Sequence, residues 1–200
     1  MKLIEETLIL ETDRVLLRPV AANDFEAFSD LAQDDEMWNY FALNLADRLQ
    51  LQKWMDAVFT DKASGTRRAF SIIDKNTNRV AGSTSMGNIS YHDLRLEIGW
   101  SWLGKESRST GLNRHAKYCM LKYAFDELNF ERVEFKTDVL NERARQGLRK
   151  VGGKEEGVFR SHMTMWNNRR RDSIYYSIIK KEWPPLKQTI FKDIMGYEFH

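Results

Sequence analysis

The stretch that decides the fold is "RSTGLNRHAKY", Arg108 to Tyr118, which opens what reads as the longest helix of the chain. Ser109 and Thr110 suit a helix start, because their side-chain oxygens accept backbone N–H groups that the first turn leaves unmatched. Arg108 stands before them, and Gly111 falls inside the first turn. Glycine within a helix is ~1 kcal/mol less favourable than alanine. An anion docking on bare backbone amides would give that glycine a purpose. A plain capped helix that contains a glycine is the other reading.

Upstream, "LRLEIGWSWL" (94–103) alternates Leu94, Leu96, Ile98, Trp100 and Trp102 against Arg95, Glu97, Gly99 and Ser101, the period of a strand with one apolar face. Downstream, the helix is predicted to stop near Asn129, and "FERVEFKTDVL" (130–140) reads as another strand. Strand, helix and strand in that order make a crossover between parallel neighbours over Leu94–Leu140. The crossover sets the helix start beside the C-terminal end of the first strand. Free N–H groups and the helix dipole favour an anion there. Gly111 lets a phosphate approach the backbone closely, and Arg108 adds a fixed cation.

Further out, residues 8–20 read as two β-rich arms about a turn at Thr12-Asp13. "NDFEAFSDLAQ" (23–33) has helical spacing at Phe25, Phe28 and Leu31, and Leu45–Phe59 is a second helix with Leu49, Trp54 and Val58 on one face. Residues 68–74 and 79–91 are strands about the turn Lys75–Asn78. Residues 141–151 form a short helix ended by Gly152-Gly153, and "KEEGVFRSHM" and "DSIYYSIIKKEW" close the sheet as an antiparallel pair. The tail from Pro184 is a short helix plus an end segment. The class is therefore mixed α+β, with one parallel crossover in a mostly antiparallel sheet.

The bulk numbers narrow the rest. Two hundred residues without repeat, linker or low-complexity tract are expected to form one domain, 1–200. A net charge of +2, from 31 basic and 29 acidic residues, excludes a global field directed at nucleic acid or membrane. The N-terminal segment is broken by Glu5, Glu6 and Glu11, no apolar run approaches a membrane span, and Cys119 is the single cysteine. A soluble cytoplasmic protein is expected.

The opening stretch is not a Walker loop, since no Gly-Lys-Ser/Thr follows, and not a Rossmann turn, since one glycine of G-x-G-x-x-G is present. A phosphate carrier bound without magnesium remains, and the pyrophosphate of coenzyme A fits that description. At this point the chain resembles the GCN5-related N-acetyltransferase (GNAT) superfamily, in particular the branch that includes the ribosomal-protein N-terminal acetyltransferases. "RSTGLN" is similar to the family's Arg/Gln-x-x-Gly-x-Gly/Ala loop, with Asn113 departing at the last position. "EIGWSWLGKESRSTG", "NERARQGLRKVGGKEEGVFR" and "SIYYSIIKKEW" resemble the family's later elements in the right order, so the likeness runs from about Leu8 to Trp183.

The resemblance implies a GNAT fold whose sheet splays between strands 94–103 and 130–140, with acetyl-CoA as co-substrate and no metal. It implies that backbone groups of Trp100, Ser101 and Trp102 pair with the pantetheine arm as an added strand would. Arg108 and the amides of Ser109, Thr110, Gly111, Leu112 and Asn113 would hold the pyrophosphate. Asn141 would bond the pantetheine, and Ala144 and Arg145 would lie along the coenzyme.

Acetyl transfer needs a neutral amine, a polarised thioester carbonyl and a proton for the leaving thiolate. Glu97 is the candidate base, and a braced or solvated strand carboxylate is the equal alternative. A backbone N–H near Trp102 is the expected oxyanion donor. The acid is missing, because Ala144 and Leu148 stand where the family often carries Ser or Tyr. A catalytically silent acyl-CoA-binding or scaffold protein therefore stays as the rival to an N-acetyltransferase acting on a protein N-terminus or a small-molecule amine. Cys119 reads as core, and His92, His115, His162 and His200 show no metal spacing. "WNNRRRD" (166–172) reads as a solvated turn or a lure for an acidic substrate, with RNA disfavoured. Trp38, Trp54, Tyr197 and Phe199 are open to core, pocket wall or a homodimer contact.

Overall fold

Thr12 folds the first arm back on itself, its hydroxyl accepting the N–H groups of Arg14 and Val15 at 3.2 Å each. The computed structural model describes residues 3–195, so Tyr197, Phe199 and His200 lie outside the described residues. Among the described residues one sheet is built from β1 (Leu10–Glu11), β2 (Val15–Pro19), β3 (Arg67–Asp74), β4 (Arg79–Ser90), β5 (Arg95–Leu103), β6 (Arg132–Asp138), β7 (Lys154–Thr164) and β8 (Arg170–Ile179). Its spatial order is β1-β2-β3-β4-β5-β6-β8-β7. Every neighbouring pair is antiparallel except β5 and β6, which are parallel.

That parallel pair is short. Arg95, Leu96 and Glu97 face Arg132, Val133 and Glu134, and pairing then stops although both strands run on. The sheet opens into a V beyond Glu97. On the other side of β5 the ladder is bulged. Ser85 faces Gly99 while Ser83 faces Trp102, so three steps of β5 match two of β4. Trp100 takes up the extra residue in the left-handed region, with φ +51°.

The bulge corrects the expected alternation. Leu96 and Ile98 join a core with Leu112, Ala116, Cys119 and Met120 of helix α3 (Leu112–Lys122). Trp102 lies on the opposite face, in a second core with Phe28, Trp38 and Trp54. An inserted residue exchanges the two faces of a strand, because side chains alternate with period two.

The second core is built by α1 (Phe25–Leu31) and α2 (Arg48–Ser64). α3 has 11 residues and runs straight on through the helical turn Tyr123–Glu127, ending near Asn129 as expected; among the described residues the longest α-helix is nonetheless α2, with 17. It starts later than expected because Asp47 caps it, accepting the N–H groups of Leu49 and Gln50 at 2.8 and 3.2 Å. Its buried face is Leu51, Trp54, Met55 and Val58, and Leu49 points to solvent at 63 % exposure. Trp38 and Trp54 are core, which answers two of the four aromatic positions left open. Helix α4 (Glu142–Lys150) follows β6, and α5 (Trp183–Thr189) packs Trp183 against Tyr118 and Phe125.

Candidate active site

Gly111 is the N-cap of α3 rather than a residue within its first turn, and its φ is +87°. No side chain caps the helix: Ser109 is itself left-handed at φ +61°, and the Thr110 hydroxyl donates instead to Ser107 O at 2.8 Å. A Cβ at Gly111 would meet nothing within 4 Å, so the glycine is required by its torsion and not by crowding. Among the described residues no hydrogen bond engages the N–H groups of Ser109, Thr110, Gly111, Leu112 or Asn113. Two left-handed residues, Ser109 and Gly111, stand on either side of Thr110 ahead of the helix, a turn conformation that can gather successive N–H groups about an anion.

Arg108 is not a free cation. Its guanidinium pairs with Asp34 at 2.5 Å, donates from Nε to Leu103 O at 2.9 Å and touches Met37 Sδ. It ties the end of β5 to the segment after α1, and its hydrogen bond holds the Asp34 carboxyl below its usual range. α4 shows the same local use of residues read for the coenzyme. Asn141 Oδ1 caps the helix by accepting Ala144 N–H at 3.0 Å, and Arg145 reaches Val139 O and the Tyr176 hydroxyl.

Glu97 occupies the last paired rung, at the apex of the V, and is 3 % exposed. Its Oε2 accepts from Asn88 Nδ2 at 2.7 Å on one side and from Lys136 Nζ at 3.1 Å on the other. The ion pair with Lys136 spans from β5 to β6 across the opening. A solvated carboxylate is ruled out; a braced one is observed at the apex of the V. Trp100 lies beside it, its indole against Gly87, with Arg67 at 5.4 Å and Lys136 at 5.7 Å from the ring centre. A groove of about 230 Å³ opens there, bordered by Asp61, Thr66, Arg67, Gly87, Asn88 and Trp100.

The basic run of residues 169–171 is used inside the molecule. Arg169 pairs with Asp138 and donates to Asn39 O, Arg171 donates to Tyr40 O, and Arg170 bonds Ser161 and Thr164. With Trp166 Nε1 on Trp38 O at 2.9 Å, the β7–β8 hairpin holds three successive carbonyls of the segment 38–40. Arg171 is buried and Arg169 is paired, and Arg170 alone of the three stays exposed. Cys119 is fully buried and burial pushes its thiol up to about 12, which fits core filling. Among the described residues no group of three His, Cys, Asp or Glu could hold a metal ion.

Asn88, Arg67 and Lys136 escaped sequence reading, because each gains its role only from a partner on another strand: Asn88 across the β4–β5 hairpin, Lys136 across the open V, and Arg67 against Trp100. The pattern of the acetyltransferase (GNAT) domain matches residues 14–154, which contain the open V, the bare helix start and Asn141. The chain belongs to the GNAT acetyltransferase family. Like that family it is an acyltransferase, and the family's co-substrate is acetyl-CoA. YdaF of Bacillus subtilis, assigned by name to ribosomal N-acetylation, is 34 % identical over 104 residues, 52 % of this chain and 56 % of YdaF. The match thus spans little more than half of that relative. A GCN5-related N-acetyltransferase from Brucella melitensis superposes with a TM-score of 0.86 at 25 % identity, over 98 % of this chain and 89 % of that one. RimJ of Mycobacterium smegmatis, solved with CoA-disulfide, has a TM-score of 0.77 at 20 % identity over 94 % of each chain, a likeness of fold. Among the described residues of this GNAT protein no helix is long and apolar enough to cross a membrane.

Proposed function

We propose that this GNAT acetyltransferase acts as a single domain and transfers acetyl from acetyl-CoA to a primary amine, a protein N-terminus first and a small-molecule amine second. The observation that carries the reading is the unpaired edge of β5 beyond Glu97, running toward five bare N–H groups at the α3 start. An extended pantetheine can add to such an edge as a strand does, along Trp100, Ser101 and Trp102. The pyrophosphate then meets the amides of Ser109 to Asn113, where the helix dipole adds about half a positive charge. The likeness to YdaF supports the ribosomal branch and with it the choice of a protein N-terminus.

The amine enters beside Trp100. Its nitrogen forms a bond to the thioester carbon, the carbonyl oxygen gains charge, and the carbon–sulfur bond then breaks to release thiolate. Backbone N–H groups of the β5 bulge stabilise the oxyanion, the kind of term that is often the largest in acyl transfer. Glu97 accepts the proton from nitrogen, directly or through water, while Lys136 and Asn88 hold its carboxylate in position. The α4 positions Ala144 and Leu148 offer no hydroxyl, so the thiolate takes its proton from another group or from solvent. The test is thiol release from acetyl-CoA over a panel of N-terminal peptides and small amines. Coenzyme binding without thiol release from any amine would support the silent rival.

A further inference from the structure

Lys117 is a charged residue type placed in the core. It is 4 % exposed on the sheet-facing side of α3, and no carboxylate among the described residues lies within ion-pair distance of it. Its Nζ donates to Ser101 Oγ at 2.7 Å. The same hydroxyl lies 2.7 Å from Thr84 Oγ1 of β4 and 3.2 Å from the carbonyl of Gly99. Ser101 and Gly99 flank Trp100, the residue held at φ +51°. One hydroxyl therefore bridges the two ends of the bulge, and Lys117 anchors it from below.

A bulky aromatic residue is strained in the left-handed region and persists there only when its surroundings over-determine it. A lysine without a counter-ion is likewise unfavourable in a core. Leu or Met would fill the same volume without that penalty. Two unfavourable features joined by one hydroxyl point to a shared purpose.

We propose that Lys117 is a positioning residue for acetyl transfer: through Ser101 Oγ it fixes the bulged backbone of Gly99 to Trp102, whose N–H groups must meet the thioester carbonyl. The inference rests on the acetyl-transfer reading above. Burial drives the Lys117 ammonium down to about 7, and the amine donates to Ser101 in either charge state. Among the described residues no charged group forms an ion pair with it. Its neighbours are Ser101 from β5 and, through that hydroxyl, Thr84 from β4, which also bonds Met120 Sδ of α3.

Lys117→Met, Ser101→Ala and their combination test this with acetyl-CoA and an accepted amine. Lys117→Met is expected to lower kcat by about tenfold or more, since small misplacements at a reacting centre have effects of up to ~10². KM for acetyl-CoA should move less than about threefold, and the double variant should be no slower than the worse single one. In the ligand-free protein, amide hydrogen exchange of Gly99 to Trp102 should speed up in both single variants. Lys117→Gln keeps a donor and should recover part of kcat, and it also serves if the Met variant does not fold. A folded Lys117→Met with wild-type kcat and unchanged exchange overturns the proposal. A wild-type protein that binds acetyl-CoA yet acetylates no amine overturns the functional reading and this inference together.

Discussion

Replacing Lys117 by Met should change stability in a way that depends on pH. The Lys117 ammonium is driven from its ordinary 10.5 to about 7 by burial. In the unfolded chain it keeps its proton up to about 10.5. Between these two values the unfolded state binds more protons than the folded one, so wild-type stability rises with pH across that window. Below about 7 both states carry the proton, and the whole burial penalty remains. The span of 3.5 pH units corresponds to about 5 kcal/mol at about 1.4 kcal/mol per unit. Met carries no proton, so the stability difference, Met variant minus wild type, should be largest at or below pH 7. It should shrink by about 2 to 3 kcal/mol between pH 7 and pH 9. Taking the difference cancels groups common to both proteins, such as the Cys119 thiol. Urea unfolding at pH 6, 7, 8 and 9 with a common m-value is the assay. A difference that does not vary with pH, or that widens as pH rises, would refute the assignment of a desolvated, unpaired amine.

Glu97→Gln should lower kcat by ~10²-fold or more, while acetyl-CoA binding by calorimetry survives. A variant with wild-type kcat would reduce Glu97 to a brace for Lys136 and Asn88. Gly111→Val should weaken acetyl-CoA binding more than it harms folding, because the left-handed φ of +87° disfavours a β-branched residue by ~1–2 kcal/mol and the methyls crowd the bare amides. Unchanged affinity would count against an anion there. Arg108→Ala should act chiefly on stability, by about 1–3 kcal/mol in urea unfolding, since it strands Asp34 and frees the end of β5. A large loss of coenzyme affinity at unchanged stability would restore Arg108 as a phosphate ligand.

Much of this molecule follows from local patterns. The strand 94–103, the helix after it and the strand 130–140 imply a parallel crossover whatever else the chain does, because that order leaves one handed connection. Gly111 announces a backbone that other residues avoid. Residues 68–74 and 79–91 around a polar turn specify their hairpin, and the later pair 154–163 and 172–183 does the same.

What only the tertiary structure decided has a common cause: it depends on residues that meet across strands or after a shift in register. Trp100 and Trp102 continue the alternation of Leu96 and Ile98, and one inserted residue opposite Thr84 sends them to the other face. Arg108 and the arginines of 169–171 read as free charges until Asp34, Asp138 and the carbonyls of 39 and 40 come within reach. Glu97 was legible as a carboxylate on a strand, whereas its partners Asn88 and Lys136 lie 9 and 39 residues away. Local pattern determines which elements form, because periodicity and turn chemistry act over a few residues. Side-chain charge, burial and aim at the site are set by whichever strand becomes the neighbour, and that is a property of the assembled sheet.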